Sequence, residues 1–301
     1  MMIQPPPLQA GDTIAIVAPA SLSKKEGEVV ACVQSLEVKG FKVKLAGNLE
    51  SQWGSFCGTD AERASGIMEA FQDEDVKAIW CLRGGYGSGR LLDQLDYDLI
   101  RQNPKIFIGM SDITALHVAL NQKAELITYL GPNANFIFAT DEDRSFAEKH
   151  AWKVLLGVQE TLIFEGGETL VSGKATGELK GGNLALLAAH VGTPWQIETK
   201  GKILLLEEVN EFSYRIDRML CQLKQAGLLD DIAGLILSSW SGCDPQHPQD
   251  FNLNQVLKNY FENASYPVLL DFPSGHIENQ ATLPLGHVVE LDADLKTLKI
   301  Y

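Results

Sequence analysis

The chain has 301 residues, 45% of them hydrophobic and 21% charged, the profile of a soluble globular protein and not of a disordered, collagen-like or membrane-resident one. Its length is that at which a single core commonly divides into two domains. With 25 Lys and Arg against 39 Asp and Glu the net charge is -14, so the summed field repels phosphate backbones; no basic run breaks the pattern, and nucleic acid is excluded as an expected partner.

At the N-terminus no basic residue precedes Lys24, and the apolar run Ile14 to Ala18 is too short for a signal-peptide core or a membrane span. Thr13 to Ala18 reads as a buried strand. Glu26 to Lys39 carries Val29, Val30, Val33 and Leu36 at helical spacing until Gly40 stops it. Phe41 to Leu45 then alternates as a strand, Ala61 to Phe71 is helical, Ala78 to Leu82 is an apolar strand, and a short helix holds Leu91. Ile106 to Ile108 is the next strand and runs through Gly109-Met110-Ser111-Asp112 into an amphipathic helical pattern. Strand and helix alternate through about residue 130, the signature of a doubly wound sheet whose ligands bind at the carboxyl ends of its strands. Two loops stand at such ends, Arg83-Gly84-Gly85-Tyr86-Gly87-Ser88-Gly89-Arg90 and the Ser111 turn. Any locally positive cleft is to be sought at Arg83 and Arg90.

Between about residues 131 and 172 the pattern loosens into a bridge with the charged stretch Asp141 to Arg144 and a helix containing Trp152 and Leu155. Beyond it come a strand from Lys174 to Leu179, a turn at Gly181-Gly182 and a helix from Asn183 to His190. Strand Ile203 to Leu206 precedes a helix through Tyr214 to Lys224, and strands follow at Ile232 to Leu237 and Val268 to Leu270. Val288 to Leu291 and Lys296 to Ile300 form a terminal hairpin around Asp292-Ala293-Asp294. This half is a strand-rich mixed domain. The five cysteines, Cys32, Cys57, Cys81, Cys221 and Cys243, are odd in number and never in CxxC spacing, which fits reduced thiols in the cytoplasm and offers no metal site.

Ser111 is placed as a nucleophile would be. It follows a strand and opens a helix whose first free N–H groups face any anion that develops beside it. It needs a base and an orienting acid. Of the six histidines, His117 lies in the apolar run Leu116 to Leu120 and reads as packed, His150 and His190 sit in helices, His247 lies in a polar loop and His287 begins a strand. His276, in Phe272-Pro273-Ser274-Gly275-His276 after a buried strand, is the best base; the competing reading is a histidine that caps a turn. For the acid, Glu207 and Glu208 end the apolar strand Leu204-Leu205-Leu206. Their side chains point to opposite faces because the strand period is two, so at most one can serve Ser111; a solvated pair of charges at a strand exit is the alternative.

Ile16-Val17-Ala18-Pro19-Ala20-Ser21, Cys81-Leu82-Arg83-Gly84-Gly85-Tyr86-Gly87, Gly109-Met110-Ser111-Asp112, Gly181-Gly182-Asn183-Leu184, Leu206-Glu207-Glu208-Val209 through Tyr214-Arg215-Ile216-Asp217-Arg218, and Pro273-Ser274-Gly275-His276 fall in one order along nearly the whole chain. Together they resemble the L,D-carboxypeptidase (muramoyltetrapeptide carboxypeptidase) family of serine peptidases. The resemblance implies an α/β fold: an N-terminal doubly wound, mostly parallel sheet of flavodoxin-like kind over residues 1–165 that carries the nucleophile, and a second, smaller mixed α/β domain over 166–301 that carries the acid and the histidine.

It further implies a Ser-Glu-His triad of Ser111, Glu207 and His276, with the Glu207-Glu208 pair standing where the family commonly has Glu-Asp. The oxyanion donors expected are the backbone N–H groups of Asp112 and Gly85, and Arg83 and Tyr86 are expected to bind substrate. The implied activity is release of the terminal D-Ala from murein tetrapeptides in cell-wall recycling, by a cytoplasmic homodimer without cofactor or metal. Two alternatives are carried: a microcin self-immunity peptidase of the same family, and a non-catalytic nucleotide- or phosphate-binding module built on the glycine-rich loop, which lacks both GxxxxGK[ST] and GxGxxG spacing.

Overall fold

A computed structural model describes residues 2–23, 25–158, 161–163 and 166–301. The chain divides into two compact units, Met1–Val158 with Ala281–Pro284, and Gln159–Gln280 with Leu285–Tyr301.

The first unit alternates strand and helix as its periodicity predicts: β1 (Thr13–Val17), α1 (Glu28–Val38), β2 (Lys42–Leu45), α2 (Asp60–Gln72), β3 (Val76–Cys81), α3 (Tyr97–Gln102), β4 (Ile106–Gly109), α4 (Thr114–Lys123), β5 (Thr128–Leu130), α5 (Ala134–Phe138) and α6 (Ser145–Leu155). Strands pair in the order β2-β1-β3-β4-β5, each neighbouring pair parallel, which is the flavodoxin-like doubly wound arrangement. Because these strands are parallel, the loops that follow β1, β3 and β4 leave the same edge of the sheet, and the strand order reverses beside β1. The loop after β3 is the glycine-rich one and the turn after β4 holds Ser111. Ile14, Ile16, Trp80, Ile106 and Ile108 are buried in one core, capped by an edge-on contact of Trp80 with Phe138 and by Phe41 stacked on Trp152.

The second unit contains β6 (Thr161–Ile163), β7 (Glu168–Val171), β8 (Lys174–Asn183), α7 (Leu184–Ala189), β9 (Ile203–Val209), α8 (Ser213–Gln225), β10 (Gly234–Ser241), α9 (Leu253–Phe261) and β11 (Val268–Leu270). After β12 (Leu283–Leu285), which joins the first sheet, come β13 (Val288–Asp292) and β14 (Thr297–Ile300). Its eight-stranded sheet has the order β6-β14-β13-β8-β9-β10-β11-β7, parallel from β8 to β11 and antiparallel outside them.

Three local expectations are corrected. The loosened stretch is not a plain bridge: α5 and α6 pack in the first unit, and β6 and β7 are edge strands of the second sheet. The helix after Ser111 is not amphipathic, since Thr114 through Asn121 are all buried between the sheet and its neighbours, and a 3-10 turn over Ser111–Ile113 precedes it. Gly181-Gly182 is not a turn but part of β8, with φ of 131° and 136°. A Cβ on Gly181 would collide with the Leu205 carbonyl of β9, two residues before Glu207. Gly181→Ala is therefore expected to destabilise the protein by about 3 kcal/mol or more, read as a lower midpoint in urea; an unchanged midpoint would contradict this packing.

Candidate active site

Ser111 has φ of 66°. A non-glycine residue in the left-handed region costs about 1–3 kcal/mol and persists only where its surroundings over-determine it. Here they do. The Met110 N–H donates to Asn133 Oδ1 at 3.1 Å, and the fully buried His117 bridges the Gly109 carbonyl from Nε2 and the Thr128 hydroxyl at Nδ1, both at 2.9 Å. The carbonyl can only accept, so Nε2 carries the proton. Burial pushes the His117 pKa down to about 4, against the raising effect of the Gly109 bond. His117 is a neutral strut under the turn.

The glycine-rich loop passes directly over the serine. A Cβ on Gly84 would stand 2.9 Å from Ser111 Cβ and 3.3 Å from Ser111 Oγ, so the loop can lie there only as glycine. Gly85 is exposed, and the next N–H, that of Tyr86, donates to Ser21 Oγ at 3.0 Å. The exposed Tyr86 ring leans on Phe56 with centroids 5.3 Å apart. Arg83 reaches the Leu22 carbonyl through Nη1 at 3.0 Å, while its buried Nε has no partner and it pairs with no carboxylate among the described residues. Arg90 is different. Asp60 grips its guanidinium through Nε and Nη2 at 2.7 to 3.0 Å, so the positive cleft sought between Arg83 and Arg90 is reduced to Arg83.

The acid and the histidine belong to the second unit, and there they meet. Glu207 is fully buried at the end of β9, and its Oε2 accepts from His276 Nδ1 at 2.7 Å. That bond puts the proton on Nδ1 and leaves Nε2 as the basic nitrogen. Burial lowers the His276 pKa, but the hydrogen bond and charge of Glu207, with the charge of Glu208, outweigh it and hold the ring above its ordinary 6.5. The imidazole is half-buried, with 23% of the side chain exposed.

Glu208 points to the other face. Its carboxylate accepts from Asn183 Nδ2, the Ala185 N–H and the Val209 N–H at 2.8 to 2.9 Å, bracing the start of α7. Burial raises its pKa, opposed by those bonds.

The serines that hold the histidine loop escaped the sequence reading. Between Leu237 and Trp240 the pairing of β10 with β9 slips, and Ser238 and Ser239 occupy this bulge beside Glu207. The Ser238 hydroxyl lies 2.7 Å from the Phe272 carbonyl and 2.6 Å from that of Ser274, and the Ser241 hydroxyl donates to the His276 carbonyl at 2.7 Å. The available signal was the run Ser238-Ser239-Trp240-Ser241 closing an apolar strand. No thiol competes as nucleophile among the perturbed cysteines: burial pushes Cys32 up to about 12 and Cys57 and Cys243 up to about 11. Among the described residues no group of three or more His, Cys, Asp or Glu side chains could hold a metal ion, and no helix is long and apolar enough to cross a membrane.

Comparison with known proteins identifies the family. Residues 14–131 match the model of the LD-carboxypeptidase N-terminal domain and residues 176–291 that of the LD-carboxypeptidase C-terminal domain. The chain is 39% identical to a probable murein peptide carboxypeptidase of Bacillus subtilis, over 99% of this chain and 94% of that one. It is 30% identical to the microcin C7 self-immunity protein MccF of Escherichia coli, over 100% and 97%. The crystal structure of a muramoyltetrapeptide carboxypeptidase from Oxalobacter formigenes superposes with a TM-score of 0.86 at 29% identity, covering 96% of this chain and 97% of that one.

Proposed function

The chain belongs to the LD-carboxypeptidase family, a family of peptidases, and from that premise we propose that it is a serine L,D-carboxypeptidase that releases the terminal D-Ala of murein tetrapeptides, working through Ser111, Glu207 and His276. The observation that carries this reading is the 2.7 Å bond from His276 Nδ1 to Glu207, which leaves Nε2 free to take a proton. The strained, glycine-covered Ser111 supports it from the other unit.

In the proposed cycle His276 Nε2 accepts the Ser111 proton as Oγ attacks the carbonyl of the scissile bond. Glu207 holds the tautomer and stabilises the imidazolium. The N–H groups of Asp112 and Gly85 receive the developing oxyanion, where loss of one donor costs on the order of 3 kcal/mol in known cases. The imidazolium then protonates the leaving amine of D-Ala, and water hydrolyses the acyl-enzyme by the same route in reverse.

Arg83, with a buried Nε and no carboxylate partner among the described residues, is the cation assigned to the substrate's free carboxylate, and Tyr86 lines the same loop. Arg83→Gln is expected to lower kcat/KM by about tenfold to a hundredfold, the worth of a charge-assisted hydrogen bond, chiefly through KM in a steady-state assay. An unchanged KM would remove Arg83 from this role.

Release of D-Ala from a murein tetrapeptide, set beside cleavage of an acyl-sulfamoyl adenylate, tests the reading against the microcin-type alternative. The short segment between Gly182 and Glu207 favours murein, since the other role calls for an added aromatic-bearing loop there. The neutralised Arg90 speaks against the phosphate-binding module. The proposed setting is the cytoplasm, supported by five free cysteines, and the proposed assembly is a homodimer, supported by the family resemblance and tested by light scattering.

A further inference from the structure

The loop and the nucleophile turn are joined by a double link that the mechanism above does not use. The Ser88 N–H donates to Asp112 Oδ2 at 2.7 Å, and the Ser88 hydroxyl donates to the Asp112 carbonyl at 2.5 Å. Both residues are buried, Ser88 completely. Ser88 lies in the glycine-rich stretch from Arg83 to Arg90, and Asp112 is the residue after Ser111. An acid in the first turn of a helix ordinarily turns back to cap its own N–H groups. The Asp112 carboxylate instead reaches across to another loop, and α4 has no side-chain cap.

On its far side the same loop is held by Arg63. Its Nη1 donates to the Gly87 carbonyl at 2.9 Å and to the Pro19 carbonyl at 2.6 Å. The loop is thus pinned immediately after Gly85 and Tyr86 by one buried cation and one buried carboxylate. Ser111 itself is held by Asn133 and His117, independently of this link.

The geometry points to Asp112 as a positioning residue: its carboxylate sets the register of the glycine-rich loop on the nucleophile turn, so that the N–H groups of Gly85 and Asp112 converge on one oxyanion position beside Ser111 Oγ. This rests on the reading of Ser111 as nucleophile. A displacement of about 1 Å in such a donor can cost on the order of a hundredfold in rate, which is the effect expected when the link is cut.

The test uses an alkyl fluorophosphonate and needs no peptide substrate. Serine Oγ bonds to phosphorus, the P–F bond breaks, fluoride leaves, the serine proton passes to the base, and the phosphoryl oxygen occupies the oxyanion position. The second-order labelling rate is compared among wild type, Asp112→Ala, Asp112→Asn and Ser88→Ala, with Ser111→Ala as the blank and thermal midpoints recorded for each. Asp112→Ala is expected to label about a hundredfold more slowly. Asp112→Asn, which keeps an oxygen acceptor for the Ser88 N–H, recovers to within about tenfold of wild type, and Ser88→Ala falls between.

In steady state, with kcat expressed per serine that labels to completion, the loss lies in kcat and not in KM; a merely smaller folded fraction would leave that normalised kcat unchanged. Equal labelling of wild type and Asp112→Ala overturns this inference and leaves the nucleophile standing. If Asp112→Ala does not fold, Asp112→Ser, whose shorter side chain withdraws the carboxylate from the Ser88 N–H, takes its place, and a native midpoint with an undiminished rate then overturns the inference. Absence of Ser111-dependent labelling in the wild type overturns the nucleophile and, with it, this inference.

Discussion

Ser111→Ala is expected to lower D-Ala release by at least about 10⁴-fold, and by as much as about 10⁶-fold if this serine behaves as the nucleophile of other triads does. The substitution removes one oxygen. The alanine inherits φ of 66° and the same bonds through Met110, Gly109 and Asp112, so the turn keeps its shape. The thermal midpoint should accordingly move little while activity collapses. What little turnover remains would come from binding and oxyanion stabilisation alone. Release of D-Ala measured by chromatography, with native unfolding as the control, decides the matter; a variant that retains wild-type turnover would eliminate Ser111 as nucleophile.

Glu207→Gln carries the second large effect, a loss of about 10⁴-fold in kcat, because the histidine is no longer held with its proton on Nδ1. It also has a signed pH signature. The working base is neutral His276, so activity falls as pH drops through its pKa, and in the wild type that acid limb lies above the ordinary imidazole value of 6.5. Without the Glu207 charge, burial dominates and the limb moves to lower pH. A limb that stays in place would separate the two residues functionally.

Stability follows the same linkage. A raised histidine pKa stabilises the folded state fully below the unfolded value of about 6.5, and this contribution is lost as pH rises through the folded value. The midpoint difference between wild type and Glu207→Gln should therefore be larger at acid pH and shrink toward alkaline pH.

Much of the architecture was legible because burial enforces periodicity. Ile14 to Val17 and Ile203 to Leu206 are continuous apolar runs flanked by helical patterns, and they form strands covered on both faces. Where the reading failed, the local signal had a second meaning. Gly181-Gly182 looks like a turn to any rule based on composition, yet these glycines are there because the backbone of β9 leaves no room for a Cβ. The helix after Ser111 carries polar residues that suggest a wet face, but Thr114, His117 and Asn121 are all buried, with His117 and Asn121 bonded inside the unit.

By itself the sequence determined the alternation of elements, the parallel sheet of the first unit, the identity of the small set of residues able to act as nucleophile, acid or base, and the fact that Glu207 and Glu208 must part to opposite faces. These are properties of chain geometry, set by rise, period and the exclusion of water. Only the tertiary structure decided which glutamate meets His276, since that depends on where the bulge at Ser238 and Ser239 sets the histidine loop against β9. It likewise decided that Ser111 is held at positive φ and that Arg90 is spent on Asp60. Such outcomes arise from contacts between segments far apart in the chain, and no local pattern encodes which partner a side chain will find.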